Sequence, residues 1–297
     1  MSKAADILCI GSVLWDMLAR APIAMRLGSD SPGRIERIPG GVALNIAMTL
    51  ARGGLTPALL SAVGRDEAGD ELMAACEARG LITDLVYRSE DLPTDQYMAI
   101  EAANGLIAAI ADAHSLESAG DKILSPLIDG RLATQDAPYM GLVALDGNLT
   151  LDLLTEIATS PVLVGADLRV APASPGKAER LAPFLTNARG TLYVNLEEAG
   201  ILCQSEFNTS YEAAEAMLEA GAQRVLVTHG GDAATEGTKN GLISQKPPQV
   251  AVTRVTGAGD TFMAAHIAAE GRGAPREAAL MQALEAASTY ASGNTPI

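Results

Sequence analysis

Short apolar runs and longer helical patterns take turns along nearly the whole of this 297-residue chain. The first run, Ile7–Ile10, ends in Gly11-Ser12, as a buried strand meeting a turn does. Further runs at 59–63, 141–145, 162–166, 192–195 and 225–228 read as buried strands. Between them, helical periodicity predicts helices over Val42–Arg52, 67–79, 149–158, 178–185, 211–220 and 261–271. Strands that are apolar throughout, separated by helices, need cover on both faces. The pattern is that of an α/β fold with a mainly parallel central sheet.

Two segments break the rhythm. Residues 16–39 contain Pro22, Gly28, Pro32 and Gly33, which suit strands and turns without a helix. Residues 96–112 read as a hairpin, with β-like arms around Asn104-Gly105 as the two turn residues of a type I′ turn. Together they predict a small sheet placed as a lid over the strand ends, with an ordinary edge hairpin as the alternative. The whole chain, 1–297, is expected to be one domain carrying a lid of about 16–39 and 96–112.

The charge balance narrows the partners. With 36 acidic and 21 basic side chains the net charge is −15, which repels phosphate backbones and anionic membranes. Aromatics are only 3% of residues, too few for base-stacking platforms. Cys9, Cys76 and Cys203 are too scattered for a disulfide framework, and with His114, His229 and His266 they give no zinc spacing. No run approaches a membrane span, and the stretch around Ile7 is too short for a signal peptide. The expectation is a cytoplasmic protein acting on a small molecule, with neither nucleic acid nor membrane as partner.

Three motifs carry chemistry. In Val255-Thr-Gly-Ala-Gly-Asp-Thr-Phe-Met263, small residues at Gly257, Ala258 and Gly259 let a ligand approach the backbone at a helix start, where free N–H groups and the dipole favour an anion. A carboxylate at Asp260 suits a base that takes a proton from a hydroxyl attacking a phosphate; a plain N-cap is the alternative. In Pro39-Gly-Gly-Val-Ala-Leu-Asn-Ile-Ala47, Gly40 and Gly41 expose backbone, and Asn45 offers a donor and an acceptor to neutral hydroxyls such as a ribose diol. Ala43, Ala47 and Ala51 give that helix a small-residue stripe for close packing. Asp16, just past the first strand, stands where α/β sheets bind ligands and could accept from two sugar hydroxyls. Asn195-Leu-Glu-Glu198 follows a strand and could hold magnesium through water, or simply start a helix with acids in its first turn. Other chemistries are missing: no Lys precedes Ser or Thr as in a Walker loop, and there is no G-x-G-x-x-G, G-x-S-x-G or H-E-x-x-H.

In this order and spacing the motifs resemble the PfkB (ribokinase-like) family of sugar and nucleoside kinases. The match rests on Gly40-Gly41-Val-Ala43-Leu-Asn45-Ile-Ala47 with Gly54 and Gly64, on Asn195-x-x-Glu198 and on Gly257-Ala-Gly-Asp260. It runs from Ile7 to about Ala291. Ser29-Asp-Ser-Pro-Gly-Arg-Ile-Glu-Arg-Ile-Pro-Gly-Gly41, Leu60-Ser-Ala-Val-Gly-Arg-Asp66 and Ile110-Ala-Asp112 are most similar to the pseudouridine-kinase branch.

The resemblance implies a ribokinase-like three-layer sandwich that transfers the γ-phosphoryl of ATP to a primary hydroxyl. Asp260 would be the base, with Gly257, Ala258 and Gly259 forming the anion hole. Asp16, Gly40, Gly41 and Asn45 would grip the diol, with Asp112 of the lid as a further substrate contact. Asn195 and Glu198 would place Mg2+. Asn195, Thr228, Gly230, Gly257 and Gly259 would line the nucleotide. A homodimer through the lids is implied too. Many relatives carry an acid, which helps to hold potassium, where this chain has Arg254, so weak or absent potassium activation is expected. His266 replaces a small or apolar residue and reads as packing. The rivals are a ribose, adenosine or other nucleoside kinase, and a non-catalytic nucleoside-binding regulator on the same fold. A dinucleotide-dependent oxidoreductase is disfavoured by the missing fingerprint.

Overall fold

The computed structural model describes residues 4–294. Its first strand shows how the core is divided. Ile7 and Cys9 face one apolar cluster and Leu8 and Ile10 the other, all wholly buried. A strand packed on both faces must be apolar at every position, which is why the run has no polar alternation.

Along the chain, β1 (Ile7–Ile10), β2 (Leu14–Arg20) and β3 (Arg34–Gly40) lead into α1 (Val42–Arg52). β4 (Pro57–Leu60), β5 (Ala62–Gly64), α2 (Glu67–Glu77), β6 (Tyr87–Ser89), β7 (Gln96–Ala102) and β8 (Gly105–Asp112) follow. Two short helices, α3 (His114–Ala119) and α4 (Ser125–Ile128), precede β9 (Leu142–Asp146), α5 (Leu151–Thr159), β10 (Asp167–Ala171) and α6 (Ala182–Thr186). Then come β11 (Thr191–Asn195), α7 (Leu196–Cys203), α8 (Ser210–Glu219) and β12 (Arg224–Thr228). The chain closes with β13 (Ala234–Thr238), β14 (Gly241–Gln245), α9 (Ala258–Gly271) and α10 (Arg276–Ala291).

The central sheet has the order β14-β13-β12-β11-β10-β9-β1-β4. Its strands from β12 to β4 are parallel, and β13 and β14 add an antiparallel edge. Residues of α1, α2, α9 and α10 fill the cluster on one face; residues of α3, α5, α6 and α8 fill the other. The arrangement is an α/β three-layer sandwich. A separate four-stranded sheet, β3-β2-β7-β8, is built from the two segments that broke the rhythm. No helix among the described residues is long and apolar enough to cross a membrane.

Several expectations are corrected. The run at 162–166 is not a strand: Pro161–Leu163 forms a 3-10 turn opened by proline, and the strand is β10, five residues later. The run at 59–63 is split at Ser61 between β4 of the main sheet and β5, which pairs only with β6. The helix expected at 178–185 is a 3-10 segment, Pro175–Leu181, followed by the short α6. The hairpin exists, but Ala102 pairs with Gly105, so Ala103 and Asn104 form the loop. Only Gly105 of the doublet has positive φ, at 97°. A turn followed by a left-handed glycine, with a register shift at Ile100/Glu101, is bulge-type geometry rather than type I′. Asn104 instead pins the 16–39 segment, accepting from Met25 N and donating to Met25 O.

Candidate active site

Parallel neighbours open their carboxyl ends on one edge of the sheet, where α/β proteins bind ligands. Here β1 runs into Gly11-Ser12, β9 ends on Asp146, β11 on Asn195 and β12 on Thr228.

The entrance to α1 is shaped by its glycines. Gly41 is the N-cap at φ 98°, outside the range most side chains adopt. A methyl at Gly40 would run into the Asp16 carboxylate. Asp16 therefore lies close against this turn, on the same row of the smaller sheet as Ile38 and Tyr97. Burial pushes Asp16 up to about 6.

α1 packs against α9, with Ala43 and Ala47 buried and Ala51 partly so, as the small-residue stripe leads one to expect. The approach brings together residues 215 apart in sequence: Asn45 Nδ2 donates to Asp260 Oδ2 at 2.9 Å. Asp260 is the third residue of α9, and the N-cap is Gly257 at φ 87°. The carboxylate thus makes no cap bond, and the N-cap alternative does not describe it. Burial pushes Asp260 up to about 7; the charges of Asp146, Asp16 and Glu198 act the same way, against the Asn45 bond. Of the amides expected to face an anion, one is already engaged. The Ala258 N–H closes a turn onto Val255 O at 3.1 Å, which leaves Gly259 as the open amide beside Asp260.

On the neighbouring strands, Asn195 and Glu198 form a capping box. Asn195 N donates to Glu198 Oε2 at 2.8 Å, and Glu198 N donates to Asn195 Oδ1 at 2.9 Å. The helix-start reading of the motif is realised. Burial pushes Glu198 up to about 7, helped by Glu197. Glu198 Oε1 and Asn195 Nδ2 take no part in the box. Among the described residues no group of three His, Cys, Asp or Glu could hold a metal ion. The donors do not make a protein cage for Mg2+. Glu198 Oε1 can accept from a water on an ion that arrives on phosphates, whereas Asn195 Nδ2 can only donate, as to a phosphate oxygen. Thr228 is the register partner of Asn195, and Gly230 turns the chain just beyond it at φ 54°.

Asp112 does not join this cluster. It shares a row with Gln96 and Trp15, while Asp16 shares one with Tyr97 and Ala111. Side chains alternate between faces, so Asp112 faces away from Asp16, and it binds His114 Nδ1 at 2.8 Å in solvent.

Asp146 was missed. It is wholly buried and accepts from Ser12 N, Ser12 Oγ, Ala43 N and Asn148 N at 2.8–2.9 Å. It clamps the end of β1 to the start of α1. An acid directly after an apolar strand, the signal that picked out Asp16, was available for it too. Arg254 donates Nε to Tyr290 O at 2.7 Å and lies 3.8 Å over the Tyr290 ring. His266 is wholly buried on the far half of α9, bonded to Tyr193 Oη at 2.9 Å. Burial pushes it down to about 3, so it is neutral and acts in packing, as expected.

The family model "pfkB family carbohydrate kinase" matches residues 4–294. The chain is 28% identical over 272 residues to a pseudouridine kinase of Escherichia coli, covering 87% of this chain and 81% of that protein. Among solved structures, a ribokinase of Thermotoga maritima superposes with TM-score 0.81 at 22% identity, over 99% of this chain and 96% of that one. A ribokinase of Arabidopsis thaliana complexed with ribose and ATP gives 0.78 at 21%, over 97% and 93%.

Proposed function

This chain belongs to the pfkB family of carbohydrate kinases, and we propose that it transfers the γ-phosphoryl group of ATP to the 5′-hydroxyl of a nucleoside, pseudouridine being the first choice. As a member it is a phosphotransferase acting on sugar or nucleoside hydroxyls. The observation that carries the transfer reading is the bond between Asn45, at the diol end of the cleft, and Asp260 at the start of α9, while the nucleoside reading is supported by the similarity to pseudouridine kinase.

Asp16, Gly41 and Asn45 hold the ribose diol, which aims the primary hydroxyl at Asp260. That hydroxyl oxygen bonds to the γ-phosphorus as the bond to the bridging oxygen of ADP breaks. Asp260 takes the proton. A carboxylate held near 7 is matched to this task at neutral pH. The Gly259 N–H and the N-terminal dipole of α9 stabilise charge on the transferred group. Thr228 and Gly230 line the nucleotide. Glu198, with Asn195 beside it, would hold magnesium through water, and the ion would supply neutralising charge on the phosphates.

The four-stranded sheet acts as a lid, with Asp16 on its inner face. On the opposite face Ile35, Met98 and Ile110 share adjacent rows and are exposed. This apolar face is covered by a second copy in a homodimer. Light scattering should give twice the chain mass, and Ile110→Arg should return it to one.

ADP release measured side by side with pseudouridine, uridine, adenosine and ribose tests the substrate. Pseudouridine is expected to give the highest kcat/KM. Ligand-dependent thermal stabilisation without ADP release would replace the kinase with a binding protein.

A further inference from the structure

A hydrogen-bonded chain runs out from the diol site along the carboxyl edge of the sheet. Ser12 Oγ gives its one proton to Asp146 Oδ2 at 2.9 Å. It must then accept from Val42 N at 2.8 Å and from Asn148 Nδ2 at 2.9 Å. This fixes the Asn148 amide, whose oxygen accepts from Lys177 Nζ at 2.6 Å. The turn bearing Asn148 is itself pinned. Arg180 Nη1 reaches the carbonyls of Asn148 and Leu149 at 3.2 and 3.1 Å, while Arg180 pairs with Glu117 at 2.9 Å. Lys177 lies in the segment that follows β10, half-buried, and its ammonium is held in one place.

An ammonium has three donors, and Asn148 engages one of them. Burial and Arg180 push the Lys177 amine down, while Asp146, Glu117 and Asp95 support its charge. These acids matter for what could bind. They repel an anion, so a carboxylate or phosphate is a poor fit beside Lys177. A group that only donates, such as an exocyclic amine, would meet another donor. A free sugar has nothing to offer beyond its own ring. A neutral carbonyl accepts from the ammonium without adding charge.

We propose that Lys177, positioned by Asn148, is the specificity-determining residue of this site and donates to a ring carbonyl of the acceptor's base, which makes the substrate a nucleoside with a neutral pyrimidine-dione base. The proposal rests on the kinase reading above. It adds a base subsite beside the diol site, built from the ends of β1, β9 and β10 rather than from the lid.

The test is ADP release by wild type, Lys177→Met and Lys177→Gln, with pseudouridine and uridine as acceptors and with ribose as a base-less acceptor or competitive inhibitor. Removing a charged donor should raise the KM of the accepted nucleoside about 10- to 100-fold, with kcat little changed. Lys177→Gln, which keeps an uncharged donor, should fall between. The ribose constant should stay at its wild-type value in all three proteins. An unchanged nucleoside KM in Lys177→Met overturns the proposal, as does an equal loss for ribose, which would mean general damage to the cleft. Failure of the underlying reading shows separately, in the wild type: a protein that phosphorylates ribose but no nucleoside has no base to recognise.

Discussion

Helix α9 carries a half-buried acid near each end, and the two behave oppositely. At its start Asp260 is held up at about 7; at its end, on the far edge of the sheet, Glu270 is held down at about 2. Burial acts to raise both. What differs is the company. Glu270 receives Arg224 at 2.6 Å and Arg169 at 2.5 Å. Arg224 and Arg276 share Glu236 Oε1 at 2.9 and 2.8 Å, and Arg169 also reaches Tyr193 Oη at 3.0 Å. Asp260 has a neutral amide from Asn45, and the surrounding charges that raise it are Asp146, Asp16 and Glu198. The fold places arginines on Glu236 and Glu270 at the far edge and leaves Asp16, Asp146, Glu198 and Asp260 at the carboxyl edge without them. Proton-accepting capacity near pH 7 sits where no cation holds the carboxylate ionised.

The largest effect that would break this contrast is at the cleft. Asp260→Asn should retain acceptor binding and lower kcat by about 10²- to 10⁴-fold, the range of a positioned general base. Steady-state ADP release with calorimetric acceptor binding checks both halves. Turnover near wild type would remove Asp260 as the base. For the active wild-type enzyme, kcat/KM should rise with pH through about 7 as Asp260 loses its proton.

At the other end of α9 the loss should fall on stability. Glu270→Ala leaves Arg169 and Arg224 without a main partner in a largely buried place and should destabilise by about 3 kcal/mol, at the lower end for a broken buried pair. Urea unfolding measures this. Turnover per folded molecule should be retained, because the change is on the edge of the sheet away from the cleft. A large fall in kcat with unchanged stability would reverse the assignment of the two ends.

The pH dependence of stability should carry opposite signs at the two acids. Glu270 has a folded pKa below its unfolded value, so its contribution is full above about 4.5 and is lost as pH falls toward 2. Asp260 has a folded pKa above its unfolded value, so the folded state binds the extra proton and stability falls as pH rises from about 4 to 7. Asp260→Asn removes that second loss. The variant should be more stable than wild type at pH 8 by up to about 4 kcal/mol and close to it at pH 4. Equal urea midpoints for the two proteins at pH 8 would mean that Asp260 ionises without cost in the folded state.

What the sequence revealed follows the same division. Gly40-Gly41, Asn45 and Gly257–Asp260 were legible because each is a local device, a turn running into a helix start, whose chemistry depends on its immediate neighbours. Asp146 carries a local signal too, as an acid after an apolar strand, but its role as a clamp does not show in it, since that role comes from Ser12 and Ala43, which lie 134 and 103 residues away. For Asp112 the sequence offered a lid contact or an exposed acid, and the choice between them depends on the register of β7 and β8, which no local pattern fixes. The 162–166 run looked like a strand, but proline at its start makes a 3-10 turn and passes the strand to residues with polar members, Asp167 and Arg169. The arginine-bound far edge leaves no local mark in the sequence, because its five ionic residues are spread from Arg169 to Arg276 and meet only in the fold.

The smallest effect concerns the arginine that stands at the catalytic end. Arg254 differs from those of the far edge in its setting: its Nε meets the Tyr290 carbonyl at the last turn of α10, where the helix dipole is negative, and its plane lies on the Tyr290 ring. The Tyr290 hydroxyl in turn lies against Gly257, since a methyl there would stand 2.5 Å from it. A permanent cation thus sits between the end of α10 and the turn that opens α9. A guanidinium cannot ligate a metal cation, and its Nε already donates to the Tyr290 carbonyl. Adding potassium to a sodium- and potassium-free assay, at constant ionic strength, should therefore change kcat by less than about twofold, the size of a screened surface effect. Many-fold activation would mean that a monovalent cation is bound beside Arg254, and the cationic role assigned to this arginine would fall.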